Sequence, residues 1–220
     1  MSKAGRIIDL YHRIWQGEEL SEADFVISAD EKTSIQARRR LHGTLPTRPG
    51  TTMRLEHEYK RCGAWAYLAG LDVHRMKLFG RCEERSGIAP FGRLVDSVMG
   101  QPPYREARRV FWIVDNGSAH RGARCIERFS KSHPKIVIAH GPVHPGWLNQ
   151  IEIYFSILQR KALKPNDFQS LEELADRILS FQAHYESIAK PFRWTFSRRD
   201  LVRLVKKLHH VPAVSMPKAA

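Results

Sequence analysis

The sequence predicts an α/β fold in which helices cover a mixed sheet. Three observations support this prediction: a helix pattern opens the chain, a meander of strand patterns follows it, and helix and strand patterns then alternate. A chain of 220 residues with 42% hydrophobic residues can bury such a core without disulfides or a structural metal.

The first part of the chain carries a helix, a strand and a basic loop. Apolar side chains at helical spacing predict a helix over residues 6–15. The apolar run Phe25–Ser28 predicts a short strand that ends at Asp30. Residues 38–53 begin with three arginines and contain two prolines and two glycines, so they predict a loop.

Strands and helices alternate in the rest of the chain. Residues 54–81 predict strands around a turn at Gly70 and Asp72. A helix begins at Pro90, and Val110–Val114 predicts a buried strand that stops at Asp115. The remaining predicted elements are a helix through Ile126 and Phe129, a strand at Ile136–Ala139, and helices near Ile151, from Ser170 and around Leu201–Leu208.

Composition excludes several classes of protein. The three cysteines are scattered and form no CxxC pair, so neither a disulfide framework nor a cysteine zinc site is expected. The sequence has no apolar run long enough to span a membrane and no signal-peptide pattern at its N-terminus. We therefore expect a soluble cytoplasmic protein that is not associated with a membrane.

The charge balance indicates a nucleic-acid partner. The chain has 36 Lys and Arg against 23 Asp and Glu, a net charge of +13, and a pI near 10.0. A field of this sign attracts phosphate polymers. A basic pI without a specific partner is the simpler alternative.

Three acidic residues stand where catalytic carboxylates are expected. Asp30 follows the run FVISA, and Asp115 follows VFWIV. The carboxyl ends of strands in open α/β sheets collect catalytic groups, and carboxylate oxygens suit Mg²⁺. Glu152 lies 37 positions after Asp115 in the first turn of a predicted helix. Each acid also has a structural interpretation, as a turn residue at Asp30 and Asp115 and as part of an Asn149–Glu152 helix cap.

The order of these motifs makes the pattern more specific. The segments FVISADEKTSIQARRR, RRVFWIVDNGSAHRG and HPGWLNQIEIYFSILQRK resemble the catalytic domain of insertion sequence 630 family transposases, which are relatives of mariner in the DDE endonuclease superfamily. The resemblance runs from about Asp24 to Asp200. It implies an RNase H-like fold with a five-stranded mixed sheet flanked by helices.

The same resemblance implies a catalytic triad of Asp30, Asp115 and Glu152. These carboxylates would bind Mg²⁺ or Mn²⁺, expected as two ions, and would cleave and join DNA strands. The partners would be transposon ends and target DNA, with a homodimer pairing two ends. The resemblance also implies a location in the bacterial cytosol, in association with the nucleoid. The expected supporting residues are Asn116, His120, His144 and Asn149, and the expected DNA contacts are Arg38, Arg39, Arg40, Arg160, Lys161 and Lys164.

Two further expectations concern the surroundings of the triad. Asn149 is expected to act first as a helix cap, and Trp147 is expected to anchor its loop in the core. Residues 1–22 are interpreted as a linker helix, 23–190 as the catalytic domain and 191–220 as a basic tail.

Full-length relatives carry an N-terminal helix-turn-helix region that this sequence lacks, so activity is expected to be impaired. Three origins of the sequence remain open: it could be one reading frame of a split transposase, a decayed remnant, or a catalytic fragment. The alternatives in function are a non-catalytic nucleic-acid-binding module and an RNase H-like nuclease outside transposition.

Overall fold

The computed structural model describes residues 2–42, 49, 50, 52, 58–115, 123–142 and 146–209. Within them lie six α-helices and seven strands. The helices are α1 (Lys3–Tyr11), α2 (Ile88–Met99), α3 (Ala123–Ser132), α4 (Ile151–Lys161), α5 (Leu171–Ile188) and α6 (Arg198–His209). The strands are β1 (Ile14–Trp15), β2 (Glu18–Glu19), β3 (Asp24–Arg40), β4 (Tyr59–Asp72), β5 (Lys77–Glu83), β6 (Arg109–Val114) and β7 (Ile136–His140).

Five strands form one mixed sheet in the order β5-β4-β3-β6-β7. The β5-β4-β3 part is an antiparallel meander, whereas β3 with β6 and β6 with β7 are parallel pairs. A bidentate ion pair between Arg109 and Asp24, at 2.9 and 3.0 Å, joins the first residues of β6 and β3. The expected five-stranded mixed sheet flanked by helices is therefore confirmed.

Both faces of the sheet are buried. In β6, Phe111 and Ile113 pack into the cluster that α1, α4 and α5 cover. The alternate residues of β6 pack into the second cluster, which α2 and α3 cover. Because neighbouring side chains of a strand point to opposite faces, a continuous apolar run such as VFWIV is what a doubly covered strand requires.

The first helix is shorter than predicted. It ends at Tyr11, and a two-stranded hairpin of β1 and β2 follows it. The hairpin turn is Gln16-Gly17, both with positive φ (55° and 91°), as a two-residue turn of this twist requires. Ile14 and Trp15 fitted the helical spacing, but the turn chemistry of Gln16-Gly17 places them in a strand.

Strand β3 is longer than predicted, which corrects two expectations. Asp30 lies inside the strand, paired with Ala69 of β4, and does not end it. Arg38–Arg40 form the end of the strand and not a loop, because β4 continues beside them as far as the Arg40–Tyr59 pair. The pairing of β3 with β4 is irregular between Lys32 and Ile35, where Ser34 has a φ of 56°.

The turn after β4 also differs from the prediction. Gly70 lies within the strand, paired with Ala29 and Phe79, and the turn occupies residues 73–76. Asp72 fixes this turn from the last position of β4. Its Oδ1 accepts hydrogen bonds from the backbone N–H groups of residues 74 and 75 at 3.2 Å, and its Oδ2 accepts one from the Tyr104 hydroxyl at 2.9 Å.

Helix α5 covers the edge strand β5. Ser170 accepts a hydrogen bond from the Glu173 N–H and caps the helix as predicted, while the Glu173 carboxylate reaches back to the Gln169 N–H. Two α5 side chains, Gln182 and Glu186, hydrogen-bond to the Leu78 C=O and N–H respectively. These bonds satisfy backbone groups on the outer edge of the sheet.

Candidate active site

Asp30 lies on β3, and Asp115 directly follows the last residue of the neighbouring strand β6, at the same end of the parallel pair. The parallel register of β3 and β6 ends at the Ser28–Ile113 pair. Asp30 and Asp115 each lie two residues beyond that pair, so the register places them side by side. Asp30 is buried, with 9% of its surface exposed, whereas Asp115 is exposed.

Glu152 reaches this site from the first turn of α4. The neighbouring Ile151, Tyr154, Phe155 and Leu158 are buried and hold α4 against the sheet, while Glu152 itself is exposed. The Ile151 N–H donates a 3.0 Å hydrogen bond to the Ser28 hydroxyl. A side chain of β3 therefore caps α4 and fixes the helix start beside Asp30.

Asn149 is a bridge between the strand and the helix, not the helix cap. Gln150 occupies the cap position, and the Asn149 side chain is buried instead. Its Nδ2 donates to Asp30 Oδ2 at 3.0 Å and to the Ala29 C=O at 3.1 Å, and its Oδ1 accepts from the Ser28 hydroxyl. The prediction of a cap was wrong because the Asn-x-x-Glu spacing does not show where the chain turns into the helix. These contacts place the Asn149 side chain beside Asp30.

A second polar side chain braces the turn before α4. The Tyr11 hydroxyl donates to the Leu148 C=O at 2.5 Å and accepts from the Gln150 N–H at 3.3 Å. Helix α1 thus contributes directly to the position of the segment that carries Glu152. Sequence reasoning missed both Ser28 and Tyr11, because they lie in apolar patterns and their partners are more than a hundred residues away.

The three carboxylates are close enough to influence one another. The pKa of Asp30 is raised to about 7, mainly by burial, and the charges of Asp115, Glu152 and Glu31 contribute to this rise while the Glu31 N–H opposes it. That N–H donates a 2.8 Å hydrogen bond to Asp30 Oδ1. Repulsion of this kind is relieved when a cation binds between the acids.

The donor set suits a hard divalent cation. Carboxylate oxygens are the ligands that Mg²⁺ and Mn²⁺ prefer, and Mg²⁺ is commonly held by only one or two of them plus substrate oxygens. Across the described ranges, however, no group of three or more His, Cys, Asp and Glu side chains is spaced to hold a metal. Asp30, Asp115 and Glu152 therefore converge without forming a closed ligand cluster.

The expected DNA contacts lie on the last part of β3, at the end of α4 and just after α4. The segment after α4 hydrogen-bonds to the end of β3, through Arg38 N–H to Asn166 Oδ1 at 3.1 Å and Phe168 N–H to the Arg38 C=O at 2.8 Å. This docking places Lys164 and the end of α4 close to the end of β3. The side chains of Arg160, Lys161 and Lys164 are exposed, and those of Arg38, Arg39 and Arg40 are half-buried.

Trp147 does not anchor its loop in the core. Its side chain is 47% exposed, and one edge packs against Phe196 with ring centroids 5.1 Å apart. With Asn149, Glu152, Ile153, Ser156 and Arg160 it lines a cleft of about 410 Å³. The predicted supporting residues Asn116, His120 and His144 lie outside the described residues.

The chain is similar to known proteins in both sequence and fold. The sequence profile of the DDE superfamily endonucleases matches residues 26–175. The crystal structure of the Mos1 mariner paired end complex with Mn superposes with a TM-score of 0.57 at 13% identity, over 94% of this chain and 59% of that chain. The Mos1 transposase paired-end complex with left transposon end gives 0.53 at 13% identity, over 94% and 60%. No curated protein matches the chain.

These matches establish the RNase H-like fold and the family. The chain spans about three fifths of the length of the Mos1 chains. Among the helices that the structure describes, none is both long and apolar enough to cross a membrane. The profile match covers well over half of the chain and includes the strands and the helix that carry Asp30, Asp115 and Glu152. The chain therefore belongs to the DDE superfamily endonuclease family.

Proposed function

We propose that this chain is the catalytic domain of an insertion sequence 630 type transposase that cleaves and joins DNA strands. The observation that carries the proposal is the convergence of Asp30, Asp115 and Glu152, since the two other acids raise the pKa of the buried one. The proposed domain is 23–190, with residues 1–22 as its linker and 191–220 as its basic tail. We place it in the bacterial cytosol with DNA as its partner.

The roles of the residues follow from their environments. Asp30, Asp115 and Glu152 would hold Mg²⁺ or Mn²⁺, expected as two ions, which supply an activated water and charge stabilisation at the scissile phosphate. Asn149 and the Glu31 N–H hold the Asp30 carboxylate in one orientation. Arg160 offers positive charge to a phosphate two turns along α4. Positioning of the reactants and neutralisation of charge would lower the reaction barrier, and no covalent enzyme intermediate is needed.

The partners in transposition are proposals of the same kind. The matched Mos1 structures are paired-end complexes, one of them with a left transposon end. By analogy we propose that this chain acts on transposon ends and target DNA, and that two copies pair two ends.

A plasmid-nicking assay tests the catalytic assignment. The full chain is expected to nick supercoiled DNA only with Mg²⁺ or Mn²⁺. Asp30→Asn, Asp115→Asn and Glu152→Gln should each lower the rate about 100-fold or more. Glu127→Gln is the matched control, because Glu127 is an exposed acid on α3 whose ion pair is with Lys131. Equal activity in the native chain and the three site variants would refute the assignment.

A non-catalytic DNA-binding module is the second candidate. It is favoured by the absence, within the described part of the chain, of a closed metal-ligand cluster. Such a module would bind DNA with a salt-dependent affinity that the three site variants leave unchanged. A third outcome, hydrolysis without joining of a pre-cut end to a target, would indicate a nuclease outside transposition.

A further inference from the structure

A cleft beside Glu152 is lined by aromatic and basic side chains that have no part in the proposed triad. Its volume is about 410 Å³, within the range that holds one small organic group. Its walls are apolar at Trp147 and Ile153, polar at Asn149 and Ser156, and charged at Glu152 and Arg160. What occupies this cleft is inferred on the basis of the proposed function.

Trp147 presents a supported aromatic surface to this cleft. Almost half of its side chain is exposed, yet its other side meets Phe196 nearly perpendicularly, at 78°. Phe196 packs in turn on a cluster of buried residues that includes Ile8 and Leu148. The indole is therefore held in place by the core while its free surface faces the cleft.

Arg160 supplies the charge that a nucleotide requires. Glu152, Ser156 and Arg160 recur every four residues, so they lie along one face of α4. Glu152 and Arg160 are separated by two turns, about 12 Å along the helix. Arg160 is exposed and has no ion pair with any residue that the structure describes. The cleft thus runs from the metal-binding end to an available guanidinium.

We propose that the cleft holds an unpaired DNA base next to the scissile phosphate, stacked on Trp147, with Arg160 on a neighbouring phosphate. An aromatic face binds any base, because every base has a π-face. An unpaired base reaches such a face without the cost of leaving a stacked duplex. A peptide partner is disfavoured because the cleft combines one aromatic wall with a basic end in a chain of charge +13.

Binding to matched DNA ends tests the proposal. The full chain is titrated, in EDTA to prevent cleavage, with a labelled duplex that has an unpaired end. The same duplex with abasic sugars at the unpaired positions is the second probe. Trp147→Ala should weaken binding of the first probe between about fivefold and about 150-fold and leave the second unchanged. Trp147→Phe should retain most of the affinity for the first probe.

Two control variants separate base contact from charge and from folding. Arg160→Gln should weaken binding of both probes alike and lower the salt slope by about one. Ile188→Ala removes an even more exposed apolar side chain from the end of α5 and should change neither affinity. If Trp147→Ala weakens both probes equally, or neither, the stacking proposal is wrong.

The two proposals fail in different ways. Because binding is measured without metal, it is independent of nicking. Suppose that the native chain nicks DNA and that the Trp147→Ala variant discriminates between the two probes as well as the native chain does. This result would refute the stacking proposal alone. A chain that discriminates the probes through Trp147 but never nicks DNA would refute the catalytic proposal alone.

Discussion

Asp30 is destabilising in the metal-free protein because burial and neighbouring acids oppose its ionisation. Its pKa rises from 3.8 to about 7 on folding, so between these values the folded state binds more protons than the unfolded chain. Metal-free stability should therefore fall as pH rises through this window and level off above it. At pH 8, Asp30→Asn should raise the free energy of unfolding by roughly 2–4 kcal/mol.

Urea unfolding between about pH 4 and pH 8, with and without Mn²⁺, checks this prediction. Mn²⁺ should stabilise the native chain at pH 8 and have little effect on the variant, because binding to the folded state shifts the equilibrium. A native chain whose stability rises with pH across the window would contradict the prediction.

Asn149 is the residue on which the geometry at Asp30 depends. Asn149→Ala leaves the Ser28 hydroxyl, the Ala29 C=O and Asp30 without their shared partner. We expect a loss of about 2–3 kcal/mol in the free energy of unfolding and weaker Mn²⁺ binding, measured by chemical denaturation and metal titration. Asn166→Ala is the control, since Asn166 also joins β3 to a distant segment but lies away from the acids. It should lose stability with unchanged Mn²⁺ affinity.

The sequence could indicate the three acids but not the residues that orient them. Asp115 follows a continuous apolar run, so its place at a strand end could be predicted. Asn149 fits a helix-cap pattern equally well, and its bonds to β3 depend on how α4 docks on the sheet. Ser28 is a small polar residue in an apolar strand, and no local pattern shows that it caps a helix far along the chain.

At the scale of elements, the contact between β3 and the start of α4 sets the position of Glu152. Ser28→Ala removes the acceptor for the Ile151 N–H and the donor to Asn149. The expected loss is about 1–2 kcal/mol of stability, together with a smaller Mn²⁺-induced rise in Tm. Ser170→Ala removes a comparable cap from α5 and should lower stability while leaving the rise induced by Mn²⁺ unchanged. Equal Mn²⁺ responses in the two variants would contradict the prediction.

The elements themselves were predictable where periodicity was strong. The apolar face of α2 and the runs of β6 and β7 needed no tertiary information. The extension of β3 to Arg40 could not be predicted, because its polar residues have weak strand propensity and the strand exists through pairing with β4. The end of α1 at Tyr11 depends on the Gln16-Gly17 turn, which overrides a helical spacing of apolar residues.

At the scale of the whole molecule, the net charge of +13 predicts a strong salt dependence of DNA binding. Arg39 lies near the end of β3, where the segment after α4 docks. Arg39→Gln should lower the slope of log Kd against log salt by about one, uniformly across DNA sequences. Arg105→Gln is the matched control. Arg105 is exposed and lies shortly before the first residue of β6, at the end of that strand away from Asp115. Equal slopes for the native chain and Arg39→Gln would place the DNA path elsewhere.

The parallel pairing of β3 with β6 has a consequence for the newly made chain. Asp30 emerges early during synthesis, Asp115 much later, and Glu152 later still. Because β4, β5 and α2 lie between the two strands in sequence, the first two acids can meet only after these elements and β6 have been synthesised. The third acid joins them only once α4 has left the ribosome and docked on the sheet. A partly made chain therefore lacks the complete set of acids that the proposed DNA cleavage requires.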